Sequence, residues 1–381
     1  MNNSLRLPPL ALYIHLPWCL KKCPYCDFNS HEFTGVFPEQ DYTRALIEDL
    51  QQETDFIQGR PLQSIFFGGG TPSLFSADSI QKILEQSNKL IPFAENIEIT
   101  LEANPGTFEQ NKFSGFRQAG INRLSIGIQS FSRQHLSQLG RVHDDREALR
   151  AAEIAHKAGF ENFNLDLMFG LPGQTSAQAM QDLRTAVDCQ PTHLSWYQLT
   201  IEPNTLFYRK PPSLPAAARI EKMQDAGIEL LNDAGFKRYE VSAFSKTAKE
   251  SRHNLNYWRF GDYLGIGAGA HGKITLPQHQ AIYRTRKSRQ PRAYLDPQAL
   301  YRADHSPIPE AELPLEFMMN ALRLTNGVDL QLFEERTGLP AERIQDTLLA
   351  LRTQGLLHSD RIAATDKGLN LLNSVLQAFM D

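Results

Sequence analysis

Residues 13–28 read Tyr13-Ile-His-Leu-Pro-Trp-Cys19-Leu-Lys-Lys-Cys23-Pro-Tyr-Cys26-Asp-Phe28, and they contain three of the chain's four cysteines in the spacing C-x3-C-x2-C. Three clustered thiols cannot pair among themselves without leaving one over, so a disulfide framework fits poorly. Structural zinc takes four protein ligands, and this cluster is one short. A cubane iron–sulfur cluster suits three thiolates when a non-protein ligand completes the fourth iron. Lysines and a proline separate the thiols, which indicates a polar loop rather than three core cysteines.

Composition limits the class of protein. A chain of 381 residues with 41% hydrophobic side chains predicts one large domain and a smaller one. The net charge of −4 disfavours nucleic acid as a main partner. The sequence has no apolar run long enough for a membrane span and no secretory signal pattern. Clustered, unpaired cysteines indicate a reducing compartment, so we expect a cytoplasmic protein.

The first 235 residues alternate between β-prone and helical segments at roughly 30-residue steps, which is typical of parallel strands joined by helical crossovers. The predicted strands cover residues 10–16, 64–67, 97–101, 123–128, 163–167 and 193–199, and the predicted helices cover 39–57, 77–90, 145–158 and 216–233. Six such units predict an α/β fold, a partial (β/α)6 barrel open on one side. Periodicity alone leaves a doubly wound sheet as the alternative.

Three regions are expected. Residues 1–235 form the core barrel, and residues 236–312 form a motif-bearing region that ends in a proline-punctuated linker over 283–312. Residues 313–381 contain three helical patterns and a hairpin-like segment at 356–364. These features predict a small winged-helix-like α+β domain, which we interpret as a packing or lid domain because it has no marked basic face.

Polar residues cluster where the predicted strands end, and in a β/α barrel that edge binds ligands. Residues 68–72 read Gly-Gly-Gly-Thr-Pro, which lets backbone amides approach a ligand closely. Glu102, Gln129 and Asp166 follow three further strands, and Arg141 lies twelve residues beyond Gln129. An acidic side chain there can accept hydrogen bonds from ribose hydroxyls, and an arginine can bind a carboxylate. Each residue alone is better explained by a cap or a surface ion pair, but their shared position at one edge favours a binding site.

These motifs resemble the radical S-adenosylmethionine (SAM) superfamily, and within it the oxygen-independent coproporphyrinogen III oxidase-like family. The resemblance covers nearly the whole chain, including the cysteine loop, the glycine segment and Asp166-Leu-Met-Phe-Gly-Leu-Pro-Gly-Gln-Thr. It implies a radical-SAM barrel that holds a [4Fe–4S] cluster on Cys19, Cys23 and Cys26. It also implies a set of SAM contacts: Tyr13, Gly69, Gly70, Thr71, Glu102, Gln129, Arg141 and Asp166.

Two features point to a branch of that family. The dehydrogenases carry a further cysteine two residues after the third, where this chain has Phe28, and they carry a longer N-terminal extension. The run His253-Asn-Leu-Asn-Tyr257-Trp resembles the H-N-x-x-Y-W motif of the haem-chaperone branch. The resemblance implies that His253 supplies an imidazole to haem iron. Without the resemblance to this family, His253 is better explained as a surface histidine beside an aromatic pair. His271, in a glycine-rich turn, is a second and weaker candidate, and Cys189 is expected to be a core residue.

The resemblance therefore implies a haem chaperone that binds a [4Fe–4S] cluster, SAM and haem and delivers haem to acceptor haemoproteins. Membrane-associated respiratory enzymes, reached at the inner face of the membrane, are the expected acceptors, and a SAM-dependent homodimer is expected. No residue is assigned a catalytic role. The alternative is an oxygen-independent coproporphyrinogen III dehydrogenase, in which a radical derived from SAM converts propionates to vinyl groups.

Overall fold

A computed structural model describes residues 5–33, 35–296, 298 and 300–380. Fourteen strands are present in this part of the chain: β1 (Leu10–Leu16), β2 (Trp18–Cys19), β3 (His31–Glu32), β4 (Leu62–Gly69), β5 (Phe93–Ala103), β6 (Arg123–Gln129), β7 (Phe163–Phe169), β8 (His193–Gln198), β9 (Lys237–Glu240), β10 (Ala243–Ser245), β11 (Asp262–Ile266), β12 (His271–Leu276), β13 (Ala281–Lys287) and β14 (Arg302–Pro307).

The α-helices in the same ranges are α1 (Glu39–Gln52), α2 (Ala77–Leu90), α3 (Thr107–Gln110), α4 (Phe113–Gln118), α5 (Arg133–Gln138), α6 (Asp145–Lys157), α7 (Ser176–Asp188), α8 (Leu206–Arg209), α9 (Ala217–Asp233), α10 (Arg252–Trp258), α11 (Pro291–Tyr294), α12 (Leu313–Ala321), α13 (Leu330–Thr337), α14 (Glu342–Thr353), α15 (Asp366–Asn370) and α16 (Leu372–Gln377). The predicted helix over 39–57 ends at Gln52, and a 3-10 turn, Thr54–Phe56, follows it.

One twelve-stranded mixed sheet organises the molecule, in the order β14-β13-β12-β11-β1-β4-β5-β6-β7-β8-β10-β9. Strands β1, β4, β5, β6, β7 and β8 pair in parallel, as the six predicted units require. Among the described residues the terminal strands β14 and β9 do not pair with each other, so the sheet stays open. The predicted partial α/β barrel is confirmed.

The parallel strands form because their sequences are apolar on both faces. In β1 six of seven residues are buried, which a strand covered on both sides requires. Two of the crossover helices begin at capping boxes, which Asp144 and Glu147 form at α6 and Thr175 and Gln178 form at α7. Parallel pairing brings the carboxyl ends of the strands to the same edge of the sheet, where the connecting loops carry polar residues.

The region after residue 236 differs from the prediction. Strand β11 pairs in parallel with β1, and β12, β13 and β14 extend the sheet as an antiparallel meander. The expected linker over 283–312 thus contains most of β13 and all of β14. Its basic residues alternate with buried ones such as Thr285, a two-residue period that belongs to a half-buried strand. Lys287 is buried and pairs with Asp49 and Glu53 on or just after α1.

The C-terminal helices enclose a second core around Phe317, Phe333 and Leu348. The hairpin-like segment is held by single bridges, Leu357 to Ala364 and Val328 to Ile362. Ion pairs from Arg284 to Glu316 and from Arg323 to Glu240 tie this part to the sheet. Across the described ranges, no helix combines the length and the apolar character that crossing a bilayer demands.

Candidate functional site

A cavity of about 480 Å³ lies at the carboxyl edge of the parallel strands, and we call it the cysteine cavity. It brings together ten of the twelve residues predicted to bind the cluster, SAM or haem: Cys19, Cys23, Cys26, Gly69, Gly70, Thr71, Glu102, Gln129, Arg141 and Asp166. Tyr13 lines an adjoining cavity instead, and His253 lines neither. Residues far apart in sequence meet here because each follows a neighbouring strand.

The three cysteines line this cavity. Cys19 ends β2, and the amide of Cys26 donates to the carbonyl of Cys23 at 3.1 Å, which closes a turn. Burial raises the pKa of the Cys19 and Cys26 thiols, so an iron centre that binds them must displace their protons. The guanidinium of Arg141 donates to the sulfur of Cys23 at 3.6 Å. A thiolate there has a cation beside it.

The cysteine loop fits a multinuclear centre better than a single ion. Within the ranges that the structure describes, no three His, Cys, Asp or Glu side chains converge closely enough for one metal ion. A cubane cluster distributes its thiolates over several irons, so its ligands need not meet at one point. The donor set is three thiols, so a cubane cluster held by them would leave one iron for a ligand other than these cysteines.

The glycine segment places bare backbone against the cysteine loop. A side chain on Gly70 would put its Cβ 2.5 Å from the carbonyl oxygen of Trp18, so only glycine fits there. Gly69 has φ of 114°, and its amide donates to the Oε2 of Glu102 at 3.2 Å. At the end of β4 the backbone of Gly69 and Gly70 therefore lines the cavity directly, and a polar ligand can contact it.

Two half-buried carboxyl groups face the same cavity. Burial, followed by the nearby Asp166 carboxylate, raises the pKa of Glu102 to about 8. Burial also raises the pKa of Asp166, whose oxygens accept hydrogen bonds from Ser125 at 3.1 Å and Asn164 at 2.8 Å. A ligand that carries an ammonium, a sulfonium or ribose hydroxyls would relieve this desolvation, and SAM carries all three.

Arg141 and Gln129 are held in place by residues that the sequence interpretation missed. Arg141 donates to Asn104 and to the carbonyl of Gly127, both at 2.7 Å. Gln129 has a left-handed backbone, φ 69°, and its side chain accepts from Tyr197 at 2.7 Å. Such backbone strain in a non-glycine residue is often found at functional sites. Asn104 had a sequence signal, because it follows Glu102 by two residues at a strand end.

A second cavity of about 830 Å³ adjoins the first, and we call it the basic cavity. Phe28, Gly69 and Glu102 belong to both, so the two share a wall. Its opposite wall is the inner face of the sheet extension, where His271 lies opposite Arg286 in the pairing of β12 with β13. Burial lowers the pKa of His271, and nearby arginines act in the same direction. The sequence analysis did not predict this cavity.

His253 lies inside the protein and not on a cavity wall. Its ring is 1% exposed and stacks on Phe66 with centroids 5.1 Å apart. Its Nδ1 is 3.0 Å from the Ser64 hydroxyl, and its Nε2 is 2.9 Å from the Tyr257 hydroxyl. Burial lowers its pKa to about 3. The predicted role as an iron ligand does not fit this geometry, because both ring nitrogens are already hydrogen-bonded. Cys189 ends α7, away from both cavities.

Comparisons with known proteins identify the family of the chain. The Radical SAM superfamily profile matches residues 13–186, and the profile of the HemN C-terminal domain matches residues 308–371. The chain is 49% identical to the heme chaperone HemW of Haemophilus influenzae, over 98% of this chain and 99% of that protein. It is 47% identical to the heme chaperone HemW of Escherichia coli, over 99% of each.

A solved structure resembles the fold closely. The radical SAM enzyme coproporphyrinogen III oxidase (HemN) from Escherichia coli superimposes with a TM-score of 0.82, covering 98% of this chain and 90% of that one at 21% identity. That similarity establishes the fold alone. Identity close to one half along nearly the full length establishes the family. The chain belongs to the radical SAM superfamily and, within it, to the HemW family.

Proposed function

We propose that the protein is a haem chaperone: it binds a [4Fe–4S] cluster, SAM and haem, and it transfers haem to acceptor haemoproteins. The observation that carries this proposal is the 49% identity to a heme chaperone over almost the entire chain. The cysteine cavity adds independent support. Three thiols, the glycine backbone and two half-buried carboxyl groups surround one space there.

Within this proposal each wall of the cysteine cavity has a task. Cys19, Cys23 and Cys26 would hold the cluster. The cluster would then offer one iron to the amino and carboxylate groups of SAM. Glu102 and Asp166 then accept hydrogen bonds from the ligand, in addition to those that they already accept from Gly69 on β4 and Ser125 on β6. The Gly69–Gly70 backbone lets the ligand lie close to the strand end.

Propionate decarboxylation is the activity that we do not propose. Phe28 occupies the position of the fourth loop cysteine of the dehydrogenases, and its side chain is 60% exposed at the wall shared by the two cavities. An apolar ring there cannot supply a thiol. The acceptors we propose are haemoproteins, including membrane-associated respiratory enzymes, which the protein reaches from the cytoplasm. We also propose that the protein forms a homodimer when SAM is bound.

The test measures haem transfer from the anaerobically reconstituted protein to an apo-haemoprotein. The absorbance of the acceptor reports the transfer. Cys23→Ser should abolish the cluster absorbance near 400 nm and reduce the iron and sulfide content. Cys189→Ser is the matched control, because that thiol lies outside the cavity, and it should retain both. The same samples are assayed with coproporphyrinogen III and SAM.

Two results would contradict the proposal. Formation of protoporphyrinogen by the wild-type protein would return the chain to porphyrin synthesis. Full iron and sulfide content in the Cys23→Ser variant would remove the cluster assignment. Haem transfer without conversion of coproporphyrinogen is the expected outcome.

A further inference from the structure

The basic cavity is larger than the cysteine cavity, and its far wall carries none of the residues that are predicted to bind the cluster or SAM. Its volume of about 830 Å³ is within the range of pockets that enclose cofactor-sized ligands. It opens beside the wall formed by Gly69 and Glu102. A ligand in it would therefore lie next to bound SAM, at the wall that the two cavities share.

Strand register gives this cavity its charge. In the β12–β13 pairing, His271 lies opposite Arg286 and Lys273 lies opposite Arg284. Side chains two residues apart on a strand point to the same face, so these four share the inner face of the sheet extension. Arg289, just beyond β13, also lines the cavity. Several cationic side chains thus border one space, and Glu102 is the one acidic side chain among the described residues that line it.

These cations differ in how firmly they are already paired. Lys273 is buried against Asp262, and Arg284 is paired with Glu316. Arg286 contacts Asp304 at 3.1 Å but remains exposed. Arg289 is exposed, and among the residues that the structure describes its guanidinium has no ion-pair partner. Arg286 and Arg289 are therefore the side chains available to an anionic ligand.

The floor of the cavity is aromatic. Tyr257 and Tyr263 pack edge to face with ring centroids 4.6 Å apart, and both line the cavity together with Tyr13. Tyr257 is held by the hydrogen bond between its hydroxyl and His253 Nε2. The ligand chemistry that matches an aromatic floor and a cationic rim is a flat, apolar ring system that carries carboxylates.

His271 adds a possible metal ligand at the rim. Its side chain is exposed and lines the cavity, and no described group forms a hydrogen bond with its ring. That contrasts with His253, whose two nitrogens are both engaged. An imidazole without hydrogen bonds, at the rim of a cavity lined by aromatic rings, can coordinate the iron of a macrocycle that is bound in that cavity.

We propose that the basic cavity is the haem site. In this assignment, which rests on the proposed haem-chaperone function, the macrocycle lies against Tyr257 and Tyr263. Its propionates pair with Arg286 and Arg289, and His271 is the axial ligand. His253 is then a positioning residue that acts through Tyr257.

The experiment titrates ferric haem, and separately metal-free protoporphyrin IX, into the full-length, cluster-loaded protein. His271→Ala should weaken haem binding at least about tenfold (about 1.4 kcal/mol) and shift the Soret band, while leaving protoporphyrin affinity unchanged. The double variant Arg286→Gln/Arg289→Gln should weaken both ligands by at least about tenfold, because it removes propionate contacts.

Matched controls come from the same part of the molecule. His279→Ala and Arg292→Gln change exposed residues outside the cavity lining, and each should behave as wild type. If wild type binds haem but the His271 and arginine variants match these controls, the site assignment is overturned while the proposed function stands. If wild type binds no haem, both are overturned.

Discussion

Replacing His253 with glutamine should change how the stability of the cluster-free chain depends on pH. Burial lowers the pKa of His253 to about 3, whereas an exposed histidine has a pKa near 6.5. As the pH falls below 6.5, the unfolded chain takes up a proton at this ring and the folded chain does not. The wild-type free energy of unfolding therefore decreases from neutral pH down to the folded pKa.

The size of this effect follows from the two pKa values. Between pH 8 and pH 5 the ring should cost the wild-type chain about 2 kcal/mol of stability, since each pH unit well below 6.5 contributes about 1.36 kcal/mol. Glutamine does not titrate, so the free energy of unfolding of His253→Gln should fall by about 2 kcal/mol less than that of wild type over the same interval. Its stability at pH 8 should be lower, because the stacking on Phe66 is lost.

The assay is urea unfolding at pH 8, 6.5 and 5, followed by far-ultraviolet circular dichroism. His358→Gln, at an exposed histidine, controls for the loss of a histidine in itself. Parallel curves for wild type and His253→Gln, within about 0.5 kcal/mol at every pH, would contradict the burial of this ring. Such a result would restore His253 as a candidate haem ligand.

Two further substitutions test the packing of the sheet. Lys287→Met leaves Asp49 and Glu53 buried without their shared cation, so it should lower the free energy of unfolding by about 3–5 kcal/mol and reduce the melting temperature. The control Lys222→Met, at an exposed position of α9, should leave the melting temperature almost unchanged. Gly227→Ala would place a Cβ 1.9 Å from the ring of Trp196, and the overpacking should cost about 1–3 kcal/mol in the same thermal assay. An unchanged melting temperature in either case would refute the contact concerned.

The parallel half of the fold could be predicted because local pattern and burial agree there. Strand β1 is apolar on both faces, and the sequence 10–16 shows this directly. The cysteine cavity was accessible by the same logic, since Glu102 and Asp166 each end a strand of one parallel sheet. Parallel order alone brings such strand ends to one edge.

The basic cavity was not predictable in that way. Arg284 and Arg286 looked like solvated linker residues, and only the pairing of β13 with β12 and β14 places them on an inner face. The position of His253 has a similar explanation. A motif indicates which residue types recur together, but the contact of its ring with Ser64 on β4 depends on tertiary packing across 189 residues.

The pairing of β1 with β11 has a consequence for synthesis on the ribosome. Leu10 pairs with Asp262, so the first strand of the sheet waits for a partner about 250 residues away. At about 5–20 residues per second, translation needs roughly 12–50 s to cover that distance. Throughout that interval the nascent chain presents an apolar strand with one unpaired edge, the feature that most readily recruits foreign strands. The second edge of β1 can pair only after β11, which lies in the last third of the protein, has been synthesised.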